Sequence, residues 1–98
     1  MFLVESSNSF DLWLRKLKDQ RAKHKILVKI RGASLGNFGD HHSVSKNISE
    51  MRINYGPGYR LYYTIKGLQL ILLLVGGTKG SQKRDIPKAL EILKSWEA

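Results

Sequence analysis

A chain of 98 residues fits one domain with one core, and no second domain is expected. The 42% hydrophobic and 26% charged content excludes the disordered class, and the absence of cysteine excludes a disulfide framework and thiolate zinc sites. Lys and Arg number 17 against 8 Asp and Glu, and a net charge of +9 on so small a surface attracts polyanions. Nucleic acid or an acidic protein is the favoured partner class, with plain solubility as the alternative. The N-terminal residues carry no basic, apolar leader pattern, and the longest apolar run, residues 70–75, falls far short of the ~20 residues that span a bilayer. A soluble, cytoplasmic protein without membrane contact is expected.

In chain order, "FLVE" predicts a short strand, and "SSNS" supplies helix-capping side chains for a helix from near Ser9. Phe10, Trp13, Leu14 and Leu17 fall at i, i+3, i+4 and i+7, an apolar stripe for the core. From Arg21, the residues Ala22, Ile26, Ile30 and Ala33 repeat at helical spacing, with Gly32 or Gly36 able to close the helix. The two form a helical hairpin whose outer faces carry Lys18, Arg21, Lys23, Lys25, Lys29 and Arg31. Such a face is solvated or docks an acidic partner. Residues 34–47 read as a loop with a short strand at most around Val44.

The period then becomes two. Met51, Ile53 and Tyr55 alternate with Glu50, Arg52 and Asn54. Beyond the bend, Tyr59, Leu61, Tyr63 and Ile65 alternate with Arg60, Tyr62, Thr64 and Lys66. Each strand is expected to have one core face and one polar face. Pro57-Gly58 suits the central positions of a type II turn, and Lys66-Gly67 a second tight turn into "LQLILLLV", expected as the central strand. A last helix holds Ile86, Ala89, Leu90 and Leu93, with Asp85 as its N-cap or a kink at Pro87. The order β-α-α-β-β-β-α describes a small α+β domain with helices on an antiparallel sheet.

The polar strand face carries the chemistry. Glu50 and Arg52 point the same way as Arg60 and Tyr62, and cross-strand neighbours on one face lie about 4.5–5.5 Å apart. Two guanidiniums so close repel unless an anion joins them, with Glu50 as the internal candidate and a phosphate as the external one. The arrangement is either a solvated Arg–Glu pair worth about 0–1 kcal/mol, or a phosphodiester site. In the second reading Arg52 and Arg60 grip a scissile phosphate while Tyr62 orients, stacks a base or passes a proton. "GGTKGS" places flexible glycines and Lys79 before a helix; it is an anion-binding loop or an ordinary connection capped by Ser81, with Lys79 and Gln82 as RNA contacts. His41 and His42 are adjacent and so diverge, which disfavours a metal site, and neither a metal nor another cofactor is expected. His41 or His42, as a loop histidine, is a candidate acid or base, and Trp13 and Trp96 read as packing residues.

The segments "FDLWLRKLKDQRAKHKI", "GNFGDHHSVSKNISEMRINYGPGYRLYY" and "LLLVGGTKGSQKRDI" resemble the HigB-like, phage-derived addiction module killer proteins of the RelE/ParE toxin superfamily. The resemblance runs from about Phe2 to Leu93 and rests on Phe-x-x-Trp-Leu, Glu-x-Arg-Ile with Gly-Pro-Gly-Tyr-Arg, and Gly-Gly-x-Lys-x-x-Gln-x-x-Asp-Ile. It implies a microbial RNase-type fold, with a helical hairpin packed on a twisted antiparallel sheet and a C-terminal helix, and the toxin half of a type II toxin–antitoxin pair, usually an mRNA endonuclease acting on translated message in the ribosome. It also implies a helix-turn-helix, HigA-like antitoxin as partner, with operator DNA reached only through that complex. The related ParE branch instead inhibits DNA gyrase; an inactive relative would be a binding module. By resemblance Arg60 coincides with a phosphate-holding arginine, Arg52 with a basic residue serving the same site, and Lys79 with a basic residue after the last strand. The tyrosine that RelE uses in proton transfer has no counterpart in "KRDIPKAL", and Glu50 stands where a second lysine is common. The resulting site assignment is Arg60, Arg52, Glu50 and Tyr62 as catalytic, Glu50 as general base, and Lys79, Gln82, Arg84, Lys46 and His42 as RNA-binding.

Overall fold

A computed structural model gives the architecture and describes residues 1–97. The first strand, β1 (Leu3–Ser6), is followed by helices α1 (Asn8–Lys16) and α2 (Gln20–Ser34). Ser7 caps α1 by accepting from the Phe10 N–H at 3.0 Å, and Asp19 caps α2 by accepting from the N–H groups of Arg21 and Ala22. Gly36, at φ 93°, ends the second helix as anticipated. The chain then forms β2 (His41–Ser45), β3 (Ile48–Ile53), β4 (Tyr59–Lys66) and β5 (Leu70–Thr78), a 3₁₀ turn at Lys79–Ser81, and α3 (Gln82–Glu97).

These elements make an α+β fold around one five-stranded sheet of order β1-β5-β4-β3-β2. Two features correct the sequence reading. Residues 41–45 form a full strand antiparallel to β3, so the order is β-α-α-β-β-β-β-α, and β1 runs parallel to β5, so the sheet is mixed rather than antiparallel. The connection is long enough for a parallel pair, since the helical hairpin and three further strands separate β1 from β5, and Leu3–Ser6 pairs with Leu70–Leu73. The β2 strand lacked a sequence signal because its residues, HHSVS, are largely exposed and bulged between Ser43 and Ser45.

Helices α1 and α2 cover one face of the sheet. Phe10, Ala22, Ile26 and Ala33 pack there on Met51, Ile53, Tyr59, Leu61, Tyr63, Ile71 and Leu73, with Trp13, Leu14, Leu17 and Ile30 at the margin. The opposite face is covered by α3, whose Ala89 and Leu93 meet Ile48, Tyr62, Leu72, Leu74 and Val75. The expectation of a solvated polar face is therefore wrong: Glu50 and Tyr62 are completely buried, and Arg60 and Thr64 nearly so. The middle position of the sheet belongs to β4, with β5 beside it. Helix α3 starts three residues before Asp85, launched by the 3₁₀ turn, where the Ser81 hydroxyl accepts from the Thr78 N–H at 3.0 Å; Pro87 lies inside it. At the first bend the Gly58 N–H donates to the Tyr55 carbonyl (3.1 Å), so Gly56 (φ 57°) and Pro57 occupy the centre of the turn, one residue earlier than expected.

Candidate phosphate-binding site

The register of the β3–β4 hairpin builds the site. Glu50 stands opposite Tyr62 and Arg52 opposite Arg60, all four on the α3 face. Glu50 Oε2 accepts from both arginines, from Arg52 Nε by a very short bond and from Arg60 Nη1 at 2.8 Å. Its other oxygen accepts from Gln82 Nε2 at 2.7 Å, delivered by the first residue of α3. Both carboxylate oxygens are thus occupied, and the internal anion that the two guanidiniums required is Glu50. Hydrogen bonding to Glu50 is also the main cause that raises the Arg52 pKa. This charge-assisted network ties both guanidiniums to one buried carboxylate.

Gly77 pairs with Arg60 on the neighbouring strand, and a Cβ there would collide with the Asp85 carboxylate and the Ser81 hydroxyl. The preceding Gly76 faces the helical hairpin, where a Cβ would fall inside the Trp13 ring. These glycines lie within β5 and are required by close approach on both faces, so the expectation of a flexible anion-binding loop is withdrawn for them. Asp85, 4% exposed, accepts from the Ser81 hydroxyl and lies 3.6 Å from Arg84 Nε.

Tyr62 is buried among Leu72, Leu74 and Ala89, and its hydroxyl has no hydrogen-bond partner among the described residues. Its pKa is pushed up to about 12, first by burial and then by the negative charge of Glu50. A completely buried ring cannot stack on a base, and a phenol held neutral to such high pH is a poor proton carrier. The stacking and proton-transfer roles expected of Tyr62 are corrected to a structural one, and with both its oxygens engaged Glu50 holds the arginines rather than standing free as a base.

The exposed groups lie around this cluster. Arg52 keeps about a third of its side chain exposed and uses only Nε on Glu50, so its terminal nitrogens are not engaged by that carboxylate; the Arg60 side chain is 10% exposed. Lys79 is exposed beside the bend, its N–H donating to the Gly58 carbonyl at 2.7 Å. Arg84 is 81% exposed, one residue from Asp85. His42 lies opposite Glu50 in the β2–β3 register, but its ring is turned to Asp40 at 2.9 Å. His41 packs on Phe38, so the adjacent histidines diverge. Lys46 sits in the β2–β3 turn, six residues and about 20 Å along the strand from Arg52, away from the cluster. Gln82 was anticipated as an RNA contact and is instead a ligand of Glu50. Asp85 was anticipated only as a cap; its pairing with the side-chain-free Gly77 is the signal that would have revealed its burial.

The chain is similar to an uncharacterized protein of Haemophilus influenzae, with 45% identity over 86 residues that make up 88% of this chain and 87% of that protein. At that identity and coverage the chain belongs to the same family. No family profile and no solved structure matches it. Among the described residues no helix is long and apolar enough to cross a membrane, and no three His, Asp or Glu side chains gather as a metal site would need.

Proposed function

We propose that the protein is the toxin of a bacterial type II toxin–antitoxin pair, a RelE/ParE-like, metal-independent endoribonuclease that cuts mRNA and stops translation in the cytoplasm. The observation that carries this reading is the pair of guanidiniums converging on the buried carboxylate of Glu50 at one end of the α3 face. Glu50 offsets their mutual repulsion and holds them in place, while the outer nitrogens of Arg52 and Arg60 donate to a phosphodiester and stabilise the charge that develops on it during attack by the ribose 2′-OH. Glu50 acts as a positioning residue. Lys79 and Arg84, both exposed, extend the positive field around the clamp. The motifs that resemble the HigB-like killer proteins and the net charge of +9 support the same reading, and an antitoxin is expected to meet this basic molecule with an acidic surface.

A second reading has a specific observation in its favour: Arg60 is mostly buried and already paired. In it the cluster is a structural ion-pair network, and the protein acts by binding alone, as a gyrase inhibitor or an inactive toxin relative. Induced expression without antitoxin separates the two, with primer-extension mapping of a reporter mRNA for wild type and Arg60→Ala. The endonuclease reading predicts new cuts within translated codons that vanish in the variant. Growth arrest with intact message points to gyrase, and unaffected growth to a binding module.

A further inference from the structure

A second concavity opens where β3 ends. It is a cleft of about 660 Å³ between one face of α2 and the end of β3 with the residues just after it, lined by His24, Lys25, Lys29, Arg52, Asn54 and Tyr55 among others. That volume is in the range of about 300–1,000 Å³ typical of small-ligand pockets and accommodates a nucleotide. Its charge is lopsided. Lys25, Lys29 and Arg52 face a single acid, Asp40, which is already taken by His42 at 2.9 Å.

The two lysines are held in place without a carboxylate. Lys25 Nζ lies 5.2 Å from the centroid of the Tyr55 ring, a cation–π arrangement. Lys29 Nζ rests where a side chain at residue 39 would be, and Gly39, at φ 62°, leaves that space open. No carboxylate among the described residues lies within 4.0 Å of either ammonium. Two cations without a carboxylate partner, beside an aromatic ring and the amide of Asn54, offer donors and a stacking surface suited to a nucleotide. Arg52 joins the two regions: its Nε is bound to Glu50 in the clamp while the residue also lines the cleft.

From this continuity we infer that the cleft is a nucleotide subsite, holding the RNA phosphate next to the one gripped by Arg52 and Arg60, with Lys25 and Lys29 as its ligands. The inference rests on the clamp reading of the proposed function and extends it by a second phosphate contact. The strand leaves the α3 face of the sheet, passes over Arg52 and enters the cleft beside α2. The basic residues of this helix face then have a defined role on the RNA path, in place of general solvation.

Fluorescence anisotropy with a short, labelled, uncleavable 2′-O-methyl single-stranded RNA, measured over a series of salt concentrations, tests it. The proteins compared are wild type, Lys25→Glu/Lys29→Glu, Arg60→Ala, and Lys16→Glu/Lys94→Glu as a control with the same change of charge at exposed sites elsewhere. Loss of two phosphate contacts flattens the slope of log K against log salt by about 1.4, which corresponds to about 25-fold weaker binding at 0.1 M salt. The inference predicts this for the Lys25/Lys29 variant beyond any change in the control, and it predicts recovery in Lys25→Arg/Lys29→Arg. A Lys25/Lys29 variant with the control's slope, while Arg60→Ala binds weakly, overturns the cleft and leaves the clamp standing. Failure of the wild type to bind RNA at all overturns both.

Discussion

The two faces of the sheet are both buried, yet they are built differently. Under the helical hairpin, every strand residue of the core cluster is apolar or aromatic, and the rings of Trp13 and Tyr59, Phe38 and Tyr63 pack against one another. Under α3, an apolar half around Leu72 and Leu93 gives way to Glu50, Arg52, Arg60, Gln82 and Asp85. Burial of charge is costly unless each charge is paired and hydrogen-bonded, and apolar residues of similar volume would serve stability at least as well. The fold keeps its buried ions on the α3 face, and the basic residues of the helical hairpin stay outside the apolar core beneath it. The hairpin face makes the scaffold, and the α3 face aims two guanidiniums from it.

Substitutions on each face sharpen that contrast, beginning with Glu50→Ala. It leaves two arginines close together without their common anion and is expected to cost about 3–5 kcal/mol, measured by denaturant unfolding, together with loss of mRNA cleavage. On the other face Leu61→Ala is expected to cost a similar amount, about 2–5 kcal/mol, while the cleavage rate per folded molecule stays near wild type. Equal loss of cleavage in the two would erase the distinction between the faces. Gly76→Ala drives a Cβ into the Trp13 ring and is expected to cost roughly 3 kcal/mol by overpacking. The corresponding Gly77→Ala displaces the Asp85 carboxylate instead and is expected to disturb cleavage as well as stability.

The smallest effect concerns Tyr62. Removing its unpartnered hydroxyl in Tyr62→Phe is expected to stabilise the fold by about 1 kcal/mol and to leave cleavage unchanged. A phenol whose pKa rises from 10.0 unfolded to about 12 folded favours the folded state while neutral. Its contribution is complete below pH 10 and is lost as pH rises through about 12. Thermal unfolding across that window is expected to show a steeper alkaline decline in wild type than in Tyr62→Phe, and parallel curves would refute the assignment.

The juxtaposition of Glu50, Arg52, Arg60 and Tyr62 was legible in the sequence because a period-two pattern and a Gly-Pro-Gly bend fix which residues oppose each other. What covers that face was not legible. Whether α3 lies over Tyr62 depends on contacts between residues 32 positions apart, such as Gln82 with Glu50, and no local propensity encodes them. The same holds for the parallel pairing of β1, which joins residues almost seventy positions apart. In Gly76 and Gly77 the composition suggested flexibility, whereas tertiary packing demanded the absence of a side chain. The apolar stripe of α1 and the spacing of Ala22, Ile26 and Ala33 were read correctly because helical period and burial coincide there.

The central claim, that the α3 face positions Arg60 to grip a phosphate with a planar fork, is tested most directly by Arg60→Lys. Lysine keeps the charge and can still pair with Glu50, so the fold survives, but it loses the bidentate geometry. Primer-extension mapping of a reporter mRNA after induction is predicted to show cleavage reduced about 100-fold or more, a loss comparable to removal of one transition-state donor, in a variant whose thermal unfolding matches wild type. Undiminished cuts at the wild-type positions would contradict the account.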